Sequence, residues 1–230
     1  MPRVVKEEDY ASRRNEILNV ARQLVYQKGY DQMSIQGILD TLKISKGAFY
    51  HYFDSKQALL DGLVEQMLDE AEKVMGPVLA AKDMPAIEKM KRYFDAGSRW
   101  KADQKPFFIN LMRVWYDDAN VLLRQKQEDA IMKHFAPKLA EIIRQGVAEG
   151  VFSTKYPDQF ADTMLGLSRG MEDKIVSLLL ADKPPPDALN QLESLVGAYY
   201  EGLERILGAP AGSLWSGTMD VMKEWLGAPS

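Results

Sequence analysis

Residues 45–56 read SKGAFYHYFDSK. A serine directly before a short run that carries Phe49 and Phe53 four residues apart is the pattern of an N-capped helix with one apolar face. At 100° per residue, Phe49 and Phe53 share the inner side with Tyr52 beside them. Gly47 and His51 point away, flanked by Ala48 and Tyr50. A helix this short is not stable alone, so neighbouring elements must hold it, and its outward side is free to act on a partner.

Those neighbours are readable upstream. Ile17, Leu18, Ala21, Leu24 and Val25 form one face of a helix that Gly29 can end in a left-handed cap. Ser34 then caps a second short helix whose stripe is Ile35, Ile38, Leu39 and Leu42, and Lys43-Ile44 lead into Ser45. Asp54 or Ser55 caps a fourth, longer helix with Leu59, Leu60, Leu63, Val64, Met67, Leu68 and Ala71.

Beyond Gly76-Pro77 the periodicity predicts helices over 84–103, 105–118, 120–149, 156–182, 186–207 and 213–226. They are punctuated by Pro106, Gly150, Tyr156-Pro157, the DKPPPD loop at 182–187 and GAPAGS at 208–213. No alternating strand pattern is present. The fold class is all-α: a three-helix module over 1–55 and a larger helical body over 56–230.

Two short helices joined by a three-residue turn and packed on a preceding helix make a helix-turn-helix, whose second short helix enters the DNA major groove. Gly47 and Ala48 give that helix a small face for close approach, and Tyr50 and His51 can reach groove walls. A cation in a first helical turn opposes the macrodipole at a cost of roughly 0.3–1 kcal/mol. Lys46 and, at the next helix start, Lys56 therefore point to an anionic partner, each beside a serine and free amides.

Composition narrows the classes. The 230 residues contain no cysteine, excluding disulfides and thiol chemistry, and only two histidines, His51 and His134, too far apart for a helical metal pair. No cofactor and no metal are expected. No apolar run approaches the ~18 residues of a membrane span, and MPRVVKEEDY lacks the apolar core of a secretory signal, so a cytoplasmic location is expected. The net charge is −4, but residues 1–60 hold nine Lys/Arg against seven Asp/Glu while the rest hold 20 against 26. The basic bias lies at the end that carries the helix-turn-helix.

The run from Ile17 to Leu60, and above all SKGAFYHYFDSKQAL, resembles the DNA-binding domain of the TetR family of transcriptional repressors. The resemblance implies a homodimer on a palindromic double-stranded operator and a C-terminal body that holds a hydrophobic small-molecule effector. By position it implies phosphate contacts from Ser34, Tyr50, His51 and Lys56, with Gln36, Lys46, Gly47 and Ala48 nearest the bases and Ser45 also among the DNA-binding residues. Lys43 stands where the family commonly has glycine in the turn. If left-handed, it costs roughly 1 kcal/mol, and Gly37 weakens its helix similarly.

In the body, Trp100, Phe108, Met112, Trp115, Tyr116 and Met164 are candidates for an adaptable apolar pocket, although such residues more often make core. The resemblance also implies that the last long pair of helices forms a dimer interface, for which Ala161, Gly166, Gly170, Gly197, Ala198 and Gly202 are the small-residue candidates. The final segment, with Trp215, Met219, Met222 and Leu226, is expected to dock on the body. Two alternatives stand beside the regulator. GLSRG at 166–170 matches the G-x-S-x-G nucleophile elbow of serine hydrolases, but Ser168 sits in a helical pattern with no strand before it and no histidine after it. The other is a helical small-molecule carrier without DNA function.

Overall fold

The structure, a computed structural model, describes residues 2–30 and 32–226. Among them are ten α-helices: α1 (Pro2–Lys28), α2 (Ile35–Leu42), α3 (Lys46–Tyr50), α4 (Lys56–Ala80), α5 (Ala86–Asp103), α6 (Lys105–Trp115), α7 (Val121–Ala148), α8 (Pro157–Leu179), α9 (Ala188–Leu207) and α10 (Thr218–Leu226). The all-α expectation holds. The chain divides into two compact units, one of residues 1–70 and 106–127, the other of 71–105 and 128–230. The expected boundary at 55/56 falls inside the first unit, which also takes in α4 up to residue 70 and α6 from Pro106.

In the first unit the predicted stripes are buried together: Ile17, Leu18, Ala21 and Val25 of α1, Ile38 and Leu39 of α2, and Phe49 and Phe53. Leu59, Leu60, Leu63, Val64 and Met67 of α4 close the core. Gly62 marks where α4 meets α1. A Cβ there would lie 3.0 Å from Arg14 Nη2, 3.0 Å from Phe53 Cε1 and 3.1 Å from Leu18 Cδ2, so the approach depends on the absent side chain. Arg14 pairs with Glu65 and lies 5.1 Å from the Phe53 ring centroid, and Arg22 pairs with Glu70. Helix α6 adds buried Phe107, Phe108, Leu111 and Val114. Its Asn110 Nδ2 donates to the Val25 and Tyr26 carbonyls at 3.2 and 3.3 Å in the last turn of α1, where the Val25 carbonyl also accepts the Gly29 amide at 2.9 Å.

The second unit has its own core, built from Met75, Met90, Tyr93, Leu139, Ile143, Met164, Val196 and Leu203 among others. Gly146 lets Phe152 fold onto α7, since a Cβ would fall 2.1 Å from the ring.

Several helix ends differ from the expected ones. Helix α4 runs through Gly76-Pro77 to Ala80. Proline removes one hydrogen bond, but Met75 is buried and Val78 and Leu79 pack on the second core, which outweighs that loss. Helix α10 begins at Thr218 rather than 213, because the buried Glu204 carboxylate accepts the Gly212 and Leu214 amides at 2.8 and 2.9 Å and holds that stretch as a loop. Trp215 lies in this loop, 44% exposed, with its ring tilted against that of Tyr200 at 5.6 Å. The docking face of α10 uses Met219, Met222 and Leu226 as expected, with Val221 and Trp225 buried beside them. Helix α6 stops at Trp115, where Asn120 Nδ2 takes the Val114 carbonyl and a 3-10 turn follows. Smaller trims fall at prolines: α5 starts after Pro85, which disfavours helical backbone at Met84, and α9 starts after Pro184–Pro186.

Candidate nucleic-acid interface

Helices α2 and α3 are both opened by serine. Ser34 Oγ accepts the Gly37 amide at 3.0 Å and Ser45 Oγ accepts the Ala48 amide at 3.1 Å. A capping hydroxyl that accepts from the backbone still has its own proton to donate, so both exposed serines can give a hydrogen bond outward. Between the helices Lys43 takes φ 54°, ψ 42° and donates its amide to the Leu39 carbonyl. Ile44 donates to the same carbonyl at 3.2 Å. This is the left-handed ending that glycine adopts without strain, so the condition under which Lys43 costs roughly 1 kcal/mol is met.

Helix α3 divides as its wheel predicts. Phe49 and Phe53 are buried with ring centroids 5.9 Å apart, while Lys46, Gly47, Tyr50 and His51 are exposed. Lys46 Nζ lies 6.0 Å from the Tyr50 ring centroid, a distant contact that leaves the ammonium in solvent. Gly47 is informative because nothing in the fold demands it. An added Cβ would meet only Ser45 Oγ at 3.9 Å, although glycine inside a helix costs roughly 0.5–1 kcal/mol relative to alanine. The space above it is open.

Three expected contacts are placed differently. Ala48 is half-buried on the wall of a crevice of about 240 Å³, lined by Arg13, Glu16, Ile17, Leu42, Ile44 and Tyr52. Exposed Gln36 donates its amide to Asp40 Oδ1 at 2.7 Å, leaving its carbonyl oxygen available. Lys56 is half-buried, with Nζ donating to the Tyr30 carbonyl at 2.8 Å and lying 4.2 Å from the Tyr30 ring centroid. Sequence reasoning missed Tyr10, which packs on Tyr52 at 4.8 Å and edge-on to His51 at 5.6 Å. No local pattern connects residues so far apart.

Of the pocket candidates, Phe108, Met112, Trp115 and Tyr116 belong to the first unit, and Trp100 and Met164 to the second. Phe108 and Met164 are buried and Trp100 packs against the second core. In that core the fully buried Tyr93 hydroxyl has no hydrogen-bond partner among the described residues. Burial, and then the Glu72 and Glu141 charges, push its ionisation well above the usual tyrosine range. A buried orphan hydroxyl is costly, and the apolar periodicity gave no sign of it.

The small-residue candidates separate as well. Ala161 is fully buried in its own unit, and Gly197 is half-buried with Trp215 3.8 Å from its virtual Cβ. Gly166 and Gly170 are exposed and Gly202 is half-buried. A Cβ at any of the three would meet nothing within 4 Å, and Ala198 is exposed. The close helix approach expected at Gly166 and Gly170 is therefore not made within this chain. Ser168 lies in the middle of α8 and donates to the Leu165 carbonyl at 2.8 Å; a strand-to-helix elbow is not what surrounds it. Among the described residues no group of three or more His, Asp or Glu could hold a metal, and no helix is long and apolar enough to cross a membrane.

Among known proteins, residues 17–63 match the family described as bacterial regulatory proteins, tetR family, and residues 113–177 match a tetracyclin repressor-like C-terminal domain. An uncharacterised helix-turn-helix regulator of the lacX 3' region in Lactococcus lactis is 32% identical over 82 residues, 36% of this chain and 42% of that protein. The matches to the first curated relatives span less than half of those proteins' length. The uncharacterised regulator YfiR of Bacillus subtilis is 25% identical over 199 residues, 84% of this chain and 92% of its own. A TetR-family regulator from Pectobacterium atrosepticum shares the fold, with a TM-score of 0.63 at 18% identity over 88% of this chain and 98% of that one.

Proposed function

The chain belongs to the TetR family of transcriptional regulators, and from that premise we propose that it is a dimeric repressor of a palindromic operator, released by a small apolar molecule. The observation that carries the DNA reading is the outward side of α3. Lys46 is solvated without an intramolecular partner close by, next to a Gly47 that the fold has room to replace. Stability accounts for neither residue, whereas a polyanion reached at close range accounts for both.

In this reading Ser34, Ser45, Lys46, Tyr50 and His51 position the module on phosphates, Gln36 and the Gly47 backbone lie nearest the bases, and Ala48 contributes from the crevice wall. Lys56 contributes chiefly by fixing Tyr30 beneath the module, since its ammonium is already engaged there. The partner protomer packs on α8 and α9 along Gly166, Gly170, Ala198 and Gly202, whose open surfaces accept a close helix. Half-sites about one helical turn apart follow from such a twofold. The effector sits among apolar and aromatic groups including Trp100 and Met164, with the Tyr93 hydroxyl offering it one hydrogen bond.

Selection of genomic fragments on the purified protein, followed by a screen for compounds that release the selected DNA, tests this directly. Enrichment of an inverted repeat bound by a dimer, and its release by an apolar compound, is expected. Equal affinity for every fragment would overturn the operator, and sedimentation as a monomer on DNA would overturn the dimer.

A further inference from the structure

We propose that Lys43, in the turn between α2 and α3, is a further DNA-backbone contact, held in a strained conformation for the sake of its charge. Among the described residues it is the only non-glycine at positive φ, while Gly29, Gly150, Gly208 and Gly212 fill the other such positions. The left-handed geometry at Lys43 is fixed by the α2 ending, in which the Lys43 and Ile44 amides both reach Leu39. Glycine would meet that requirement without a Cβ penalty. Asparagine would meet it better than lysine. A side chain retained against its own backbone preference points to a role outside folding.

The surroundings indicate what that role is. Lys43 is exposed, and its ammonium makes no hydrogen bond, ion pair or ring contact with any described residue. The carboxylate of Asp40, one turn earlier, is occupied by the Gln36 amide. Two residues of chain span at most about 7 Å and three about 11 Å, so Lys43 lies close to Ser45 and within about 11 Å of Lys46 at the start of α3. A mobile cation on a flexible four-carbon stem at this position suits a phosphate oxygen, which it would neutralise without reading a base. Lys43 is therefore expected to add affinity and salt dependence, equally for all sequences.

The inference rests on the DNA-binding reading above, and the test separates the two. Fluorescence anisotropy with the selected operator is measured between 50 and 200 mM salt for wild type, Lys43→Gly, Lys43→Asn, Lys43→Arg and Lys46→Ala, alongside thermal unfolding. Lys43→Gly and Lys43→Asn should keep or raise the unfolding midpoint, yet bind roughly three- to tenfold more weakly at low salt. The salt slope should fall by about 0.9 for each phosphate no longer neutralised, and the weakening should be the same on operator and random DNA. Lys43→Arg should retain the wild-type slope. If wild type and Lys46→Ala behave as expected but the neutral Lys43 variants bind with unchanged affinity and slope, Lys43 does not touch the DNA backbone. If wild type shows no salt-dependent binding at all, the DNA reading fails and this inference fails with it.

Discussion

Helices α3 and α4 open on nearly the same four residues, SKGA at 45–48 and SKQA at 55–58. Each serine caps its helix identically: Ser45 Oγ accepts from Ala48 at 3.1 Å and Ser55 Oγ accepts from Ala58 at 3.0 Å. The lysines that follow diverge. Lys46 stays in solvent beside an open glycine, whereas Lys56 turns inward to the carbonyl and ring of Tyr30, 26 residues away. A local motif therefore dictates the cap, while the destination of the neighbouring cation depends on what the tertiary structure places within reach. The first lysine is available for an external anion, and the second is part of the module's own structure.

The contrast can be broken at several strengths. The strongest perturbation is Phe49→Ala, which removes the fully buried ring that seats α3. It should destabilise the protein by roughly 3–5 kcal/mol and abolish DNA binding, as read by chemical unfolding and anisotropy. Lys56→Ala should lower stability by about 1–2 kcal/mol, through loss of a part-buried hydrogen bond and a cation–π interaction. For a chain of this size that is a fall of a few degrees in Tm. Gly47→Ala should leave stability equal or better by up to about 1 kcal/mol and yet weaken operator binding, because the added methyl occupies the space a groove floor would fill. An unchanged affinity would show that close approach at Gly47 is not used.

A weaker and separate test concerns a helix start with no local cap at all. Helix α5 follows Pro85, which has no side-chain cap, and the Ala86 amide is met instead by Glu149 Oε2 at 2.8 Å. The Ala86 amide first, and then Gln145, hold the Glu149 pKa below its ordinary 4.5. A depressed carboxylate contributes stability above the unfolded value and loses it as pH falls through the folded one. Glu149→Gln should therefore be slightly less stable than wild type near pH 7, and the gap should close below pH 4.5. A constant gap across that range would mean the carboxylate charge is not what supports the cap.

These cases show what was legible in the sequence. The stripes of α1 and α2, the serine caps and the inward Phe49 and Phe53 follow from spacing and local chemistry; the caps are bonded, Phe49, Phe53 and most of the stripes are buried, and Leu24, Ile35 and Leu42 at the stripe edges are half-buried. The Lys56–Tyr30 and Glu149–Ala86 partnerships and the packing of Tyr10 on Tyr52 were not legible, because each joins residues distant in the chain. Pro77 misled for the opposite reason: the local rule was sound, but burial of Met75, Val78 and Leu79 outweighed it. Ala161 and Met164 show the same limit in the body, where small or apolar residues at helical spacing do not reveal whether they face their own core or a partner.

The most direct test of the central claim is the salt dependence of operator binding for Lys46→Ala beside Lys56→Ala, each with its thermal unfolding curve. Lys46→Ala should bind about tenfold more weakly, with a slope reduced by about 0.9 for the phosphate it leaves unneutralised and an unchanged Tm. Lys56→Ala should lose Tm while, in its folded form, keeping nearly the wild-type slope. An unaltered slope for Lys46→Ala, or an equal reduction of slope for the two variants, would contradict the division between the outward and inward lysine.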